Sequence, residues 1–166
     1  SRFPQARLQI AGTGPDRHEL LALARRLGVG DRVDLLGRIE PEDVPALYAR
    51  SRALVMPSRY EGLPLVALEA AWSARPVLAM EGPGLSEAIV DGVTGRLVPR
   101  GDVSALAGAF AEVLDAKDRA SSLGQAARRR MEEQFSIQAT VDAYESIYRS
   151  VLRGHHDGQQ PLESVL

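Results

Sequence analysis

Two hydrophobic patterns alternate along the chain. Short apolar runs, bounded by glycine and proline, fall at Leu8–Ala11, Val33–Leu36, Ala53–Met56, Pro76–Ala79 and Gly95–Val98. Runs of that length between such breakers read as buried strands. The segments between them carry helical spacing. Asp16–Leu27 places Leu20, Leu21, Leu23, Ala24 and Leu27 on one face, and Gly28 and Gly30 close it. Pro41–Arg50 opens on a proline suited to a first helical turn, and Pro64–Ala74 does the same. A short helix is expected after Gly82-Pro83-Gly84, capped by Ser86 and running through Val90. Three longer helical stretches, Val103–Leu114, Arg119–Glu133 and Ile137–Leu152, end the pattern.

Strands alternating with helices at this pitch imply βαβ units with right-handed crossovers. The expected fold is a doubly wound, Rossmann-like α/β domain. It has a parallel sheet, helices on both faces and a helical C-terminus, over residues 1–153, with 154–166 as a flexible tail. Such sheets bind ligands beyond the carboxyl ends of their strands. The loops to inspect are therefore 12–15, 37–39, 57–65, 80–87 and 99–101.

Composition narrows the function classes. The chain has 166 residues, 45 % hydrophobic and 25 % charged, which suffices for one packed core. A net charge of −2 offers no global field for nucleic acid. Cysteine is absent, so disulfides, thiolate metal sites and cysteine nucleophiles are excluded; this fits a cytoplasmic location. The longest apolar stretch, Leu63 to Ala71, is interrupted by Glu69 and is too short for a bilayer. Lys117 is the single lysine among 20 basic residues. Arg128-Arg129-Arg130 reads as a solvated helix face, and His155-His156 as exposed tail residues.

Two segments carry candidate chemistry. Gly12-Thr13-Gly14 follows a strand and precedes a helix, as a phosphate-binding turn does. A dinucleotide fingerprint would need a third glycine where Arg17 stands, and an acid after the next strand, where Gly37-Arg38 stands. The second segment runs from Ser58 to Ala71. Its helix is apolar on all sides except at Glu69, which predicts burial, with Trp72 in the core. A buried carboxylate needs a partner, so Glu69 either pairs with an arginine or faces a polar ligand. Glu61 stands at the mouth of this helix, and Gly62 allows close backbone approach. Pro64 begins the first turn and leaves the amides of Leu65 and Val66 as free donors at an anion-attracting helix end.

The span Glu61 to Glu69 resembles the Glu-x7-Glu motif of family 4 retaining glycosyltransferases, which use nucleotide sugars and have the two-domain GT-B fold. Three flanking segments resemble the same family: Phe3 to Pro15 with its Gly-x-Gly-Pro turn, Val33 to Gly37 followed by Leu47-Tyr48 and Ala53 to Ser58, and Glu87 to Pro99. The resemblance covers residues 3 to 152 and implies the C-terminal, donor-binding domain. It implies that Glu61, the catalytic candidate, contacts hydroxyls of the donor sugar. Amides near Leu63, Leu65 and Val66, with Gly62, would hold the diphosphate or sugar, and Glu69 would bind the ribose hydroxyls. Gly12 and Gly14 would line the donor site, and Arg38 and Ile39 would flank the nucleobase. No Asp-x-Asp occurs, in keeping with metal-independent transfer of a hexosyl group, with retention, from a nucleotide diphosphate sugar as co-substrate and no other cofactor. Polysaccharide or glycoconjugate biosynthesis is the implied setting.

Departures from the family pattern shape the remaining expectations. The family's domain opens with a further strand and helix, whose arginine and lysine grip the diphosphate; neither residue has a counterpart here. In the strand order 3-2-1-4-5-6, the five strands would be numbers 2 to 6. The Leu8 and Ala53 strands would then face a central gap, which leaves strand exchange or self-association open. The expected partners are a nucleotide sugar and an N-terminal acceptor domain, with no nucleic acid, and with membrane association only through parts outside this chain. The chain alone is expected to be inactive. Ala74 stands where the family commonly has glycine. A non-catalytic nucleotide-sugar-binding or structural module remains the alternative, and a nicotinamide-dependent oxidoreductase a third reading that Arg17 argues against.

Overall fold

The structure, a computed structural model, describes residues 2–154. The elements alternate along the chain as β1 (Leu8–Ala11), α1 (Arg17–Arg26), β2 (Val33–Gly37), α2 (Val44–Arg50), β3 (Leu54–Met56), α3 (Leu65–Trp72), β4 (Val77–Met80), α4 (Leu85–Ala88) and β5 (Gly95–Val98). Three helices follow: α5 (Val103–Asp115), α6 (Lys117–Gln134) and α7 (Ile137–Gly154). Pro41–Asp43 forms a 3-10 turn ahead of α2 rather than the helix's own first turn. The short helix α4 has Gly84 at its N-cap. Ser86 is not the cap: its hydroxyl donates back to the carbonyl of Gly82 at 3.1 Å. The helical C-terminus reaches Gly154; the two tail histidines lie outside the described residues.

All strand pairing is parallel, but the strands form two sheets. One is β1-β2 and the other β3-β4-β5. β1 pairs with β2 from Leu8↔Val33 to Ala11↔Gly37, with a register irregularity at Ile10/Ala11. Among the described residues no strand joins β1 to β3, so the break falls between the Leu8 and Ala53 strands.

The core depends on β4. All four of its residues are buried, and Leu78 and Ala79 are fully so. Strand side chains alternate between faces, and β4 sends one pair to each side. Val77 and Ala79 pack with Tyr48, Met56, Ala67, Ala70, Leu85 and Ile89, beneath α2, α3 and α4. Leu78 and Met80 pack with Val98, Leu106, Ala109, Val113, Ala120 and Leu123, beneath α5 and α6. A strand covered on both faces has no polar face to show, which explains its unbroken apolar run. By contrast, the only buried residue in β1, α1 and β2 is Ala24, and Leu8 is 42 % exposed.

Two local features lock the layers. The carboxylate of Asp102 accepts the amide of Ala105 at 2.8 Å and caps α5. Arg96 on β5 pairs with Asp91 and with Glu112 of α5, and Glu112 also pairs with Arg119 of α6. At the end of α3 the backbone turns through Ala74, whose φ of 53° is the only positive value at a non-glycine among the described residues. The turn is pressed against α6, where a Cβ on Gly124 would stand 2.1 Å from the carbonyl oxygen of Ala74.

This junction generates a paired expectation. Alanine in the left-handed region costs roughly 1–2 kcal/mol, partly offset by the entropy a glycine would add to the unfolded chain. Ala74→Gly should therefore raise the melting temperature slightly. Gly124→Ala should lower it by several degrees, since overpacking costs about 1–3 kcal/mol. Thermal denaturation of both variants checks this.

Candidate functional site

The loops that leave the carboxyl ends of β3 and β4 meet backbone against backbone. A Cβ on Gly84 would stand 1.7 Å from the carbonyl oxygen of Gly62 and 2.9 Å from that of Glu61. Gly84 also has a φ of 74°. No side chain fits there, so the 81–84 loop acts as a backstop that fixes where Glu61 and Gly62 lie. Gly82 belongs to the same wall: its Cβ position lies 3.4 Å from a guanidinium nitrogen of Arg100, a residue that follows β5.

From Gly62 the chain enters α3. Its first bonds are those from the amides of Ala67 and Leu68 to the carbonyl of Pro64, at 2.8 and 3.3 Å. The amides of Leu65 and Val66 precede them and have no acceptor within the helix. Leu63, Leu65 and Val66 are exposed (55, 62 and 44 %), so this helix end opens to solvent.

The structure corrects the expectation that α3 is buried all round. Pro64, Ala67, Leu68 and Ala70 face the core, whereas Leu65, Val66, Glu69 and Trp72 are exposed. Trp72, expected in the core, is 52 % exposed and lies beneath the guanidinium of Arg128 at 5.5 Å. A helix of small apolar residues satisfies one buried face with alanines, and its larger side chains are then free to face outward. Glu69 accordingly has no arginine partner among the described residues. Its carboxylate accepts from the Tyr48 hydroxyl at 3.4 Å, and that hydroxyl also donates to the Val66 carbonyl at 3.0 Å. Neither Glu61 nor Glu69 forms an ion pair among the described residues. Glu61 and Gly62 thus precede the exposed helix end at Leu63, Leu65 and Val66, and Glu69 is exposed one turn further along α3.

The remaining predicted residues gather at the ends of the other sheet. The amide of Gly12 donates to the carbonyl of Gly37 at 2.7 Å, which sets the glycine turn beside Arg38 and Ile39. Gly12 and Gly14 are exposed, with no side chain against either. Arg38 is exposed and pairs with Glu40 at 3.4 Å. Among the described residues no strand hydrogen bond links this group to the Glu61–Glu69 segment. Within the arginine triplet, Arg128 pairs with Glu132 and Arg130 donates to the carbonyl of Glu87. No group of three or more histidine, aspartate or glutamate side chains suited to a metal forms among the described residues. No helix among them is long and apolar enough to cross a membrane.

Sequence reasoning missed Tyr48 as a site residue and reached Arg100 and the 81–84 loop only as parts of the loops 99–101 and 80–87. Tyr48 had a readable signal, being the one aromatic residue in α2. Burial, and then the neighbouring Glu69 charge, push its hydroxyl up to about 12. The phenol is therefore protonated at neutral pH and donates. The unfolded chain ionises near pH 10 and the folded one near 12, so stability is unaffected below pH 10 and falls as pH rises between these values. Melting temperature measured against pH should decline above 10, and Tyr48→Phe should flatten that decline.

Comparisons with known proteins bear on this site. Residues 1–130 match the family model described as glycosyl transferases group 1. The chain is 35 % identical over 162 residues to a glycogen synthase of Mycobacterium tuberculosis, covering 98 % of this chain and 39 % of that one. It is 33 % identical to an N-acetyl-alpha-D-glucosaminyl L-malate synthase of Bacillus anthracis, covering 93 % and 40 %. Among solved structures it is similar to a sucrose-phosphate synthase from Thermosynechococcus elongatus, with a TM-score of 0.80, 31 % identity, and 92 % and 40 % of the two chains covered. Anabaena HepE in complex with UDP shares the fold at a TM-score of 0.79 and 24 % identity, over 88 % and 42 %. The chain thus spans about two fifths of the length of the curated relatives it matches.

Proposed function

This chain belongs to the group 1 glycosyl transferases, and we propose that it forms the donor-binding part of an enzyme that moves a hexosyl group from a nucleotide diphosphate sugar to an acceptor. The observation that carries the reading is the open N-terminus of α3, with Glu61 before it and Glu69 one turn along it, neither in an ion pair among the described residues. An anion at such an end meets free amides and the positive end of the helix dipole. Carboxylates on either side suit the hydroxyls of a sugar and of a ribose, since an ionised carboxylate accepts strong hydrogen bonds. The group therefore reads along one ligand: donor sugar at Glu61, diphosphate at the amides of Gly62, Leu63, Leu65 and Val66, ribose at Glu69. Gly12, Gly14, Arg38 and Ile39 would border the nucleobase side.

Tyr48 is a positioning residue in this reading. Its single proton serves mainly the Val66 carbonyl, the shorter of its two bonds, so both Glu69 oxygens retain lone pairs for a ribose. Arg100 beside Gly82 supplies a cation near the donor end. The transfer is read as retaining. The bond from the anomeric carbon to the diphosphate oxygen breaks, and the acceptor oxygen bonds to the same face. The acceptor proton passes to the departing diphosphate, whose charge the amides and cations stabilise. Glu61 orients the sugar and carries no covalent step. No metal is required by this scheme. The cysteine-free composition supports a cytoplasmic setting.

Relatives more than twice as long support an acceptor side supplied by further chain. Proximity of acceptor and donor accounts for much of such a rate, so this chain alone should not catalyse transfer above a Glu61→Ala control. Calorimetric titration with UDP-, GDP- and ADP-sugars tests the site. Glu69→Ala should weaken binding by about 2–3 kcal/mol, roughly 30- to 150-fold, because a charged hydrogen-bonding group is lost. Its melting temperature should change little, since Glu69 is exposed and lacks an ion pair. Unchanged affinity would reject the ribose role. Nucleotide-sugar binding by the longer protein without turnover would favour a binding module.

A further inference from the structure

At the amino ends of β3 and β4, opposite the donor surface, lies a cavity of about 330 Å³ whose wall is basic. Arg50 comes from the end of α2, Arg52 from the approach to β3, Arg75 from the approach to β4, and Lys117, the chain's single lysine, from the first residue of α6. Four cations from four separate elements converge there. The chain as a whole carries a net charge of −2, so this is a local excess that composition does not supply.

The cluster has no internal counter-charge. Among the described residues, none of the four pairs with a carboxylate. The acids nearest in sequence do not serve: Asp115 pairs with Arg2, and Asp118 makes no ion pair. Like charges around one cavity repel unless an opposite charge enters it. The donors are also partly held in place. Arg75 is anchored by its bond to the Ala49 carbonyl at 2.9 Å, and its buried Nε–H has no acceptor. The Ser121 hydroxyl accepts from Gln125 at 3.3 Å, leaving its own proton to donate. Ala116, the N-cap of α6, offers no side-chain cap, so the first amides of that helix have no side-chain acceptor there.

We propose that this cavity binds a small phosphate-bearing anion, of the phosphate or diphosphate class, at a site separate from the donor surface. Multivalent charge answers four unpaired cations, and guanidinium forks match phosphate oxygens in geometry. The volume lies at the low end for small-molecule sites, large enough for a diphosphate and small for a nucleotide sugar.

Isothermal titration of the full chain with inorganic pyrophosphate, and with inorganic phosphate, tests this at fixed ionic strength set by chloride. Saturable binding is expected. Arg52→Gln with Lys117→Gln should weaken pyrophosphate at least tenfold, whereas Arg129→Ala, which removes an exposed cation elsewhere on α6, should not. Should the double variant fail to fold, Lys117→Gln alone, at an exposed position, should still weaken binding. Absence of saturable binding overturns the proposal. So does equal affinity in the cavity variants, which would place the anion at the donor surface instead.

Discussion

The contact of Gly84 with the carbonyl of Gly62 is the constraint on which the site depends. Two loops leaving adjacent parallel strands are pressed together so closely that a single methyl group would overlap the opposing oxygen. That contact sets the approach of the chain into α3, and so sets where two free amides and Glu61 present themselves. It holds because β4, the strand that feeds the Gly84 loop, is buried on both faces between two helical layers. A polar site at the end of such a strand starts from a close-packed base.

Away from β4 the packing thins. The β1–α1–β2 unit contributes one buried residue, and its sheet stops before β3. α7 shows the same contrast at the other end. Ile137, Tyr144 and Tyr148 are 86, 57 and 63 % exposed along an apolar stripe. The best-packed part of the domain is therefore the part that carries Glu61 and Glu69. The glycine turn at Gly12–Gly14 and the Arg38–Ile39 corner rest on a lighter support.

Much of the fold was legible in the chain because its strands are short apolar runs cut by glycine and proline, and its helices repeat with ordinary spacing. Leu8–Ala11 and Gly95–Val98 match the strands as expected, the other boundaries shift by a residue or two, and the helix expected from Pro41 starts three residues later, at Val44. The break between β1 and β3 followed from strand order rather than from any local signal. What the sequence concealed was which face of α3 is buried. Its residues are apolar on both sides, and only tertiary packing chose alanines for the core and Trp72 for the surface. The backstop role of Gly84 was equally hidden, since a glycine in a turn reads the same whether it faces solvent or another backbone. Tyr48 meets Glu69 across 21 residues of sequence, a contact that no local pattern encodes. The basic cavity escaped for the same reason, its four cations being spread from position 50 to 117.

On the proposed function, the α3 N-terminus, held by the Gly84–Gly62 contact and flanked by Glu61 and Glu69, binds a nucleoside diphosphate. Backbone amide chemical shifts followed during titration with UDP, GDP and ADP test it most directly. One of these nucleotides should move the amides of Gly62, Leu63, Leu65 and Val66 in a saturable manner, with Glu69 and Tyr48 moving alongside. Saturating nucleotide that leaves those amides unmoved, while shifting others elsewhere on the domain, would contradict it.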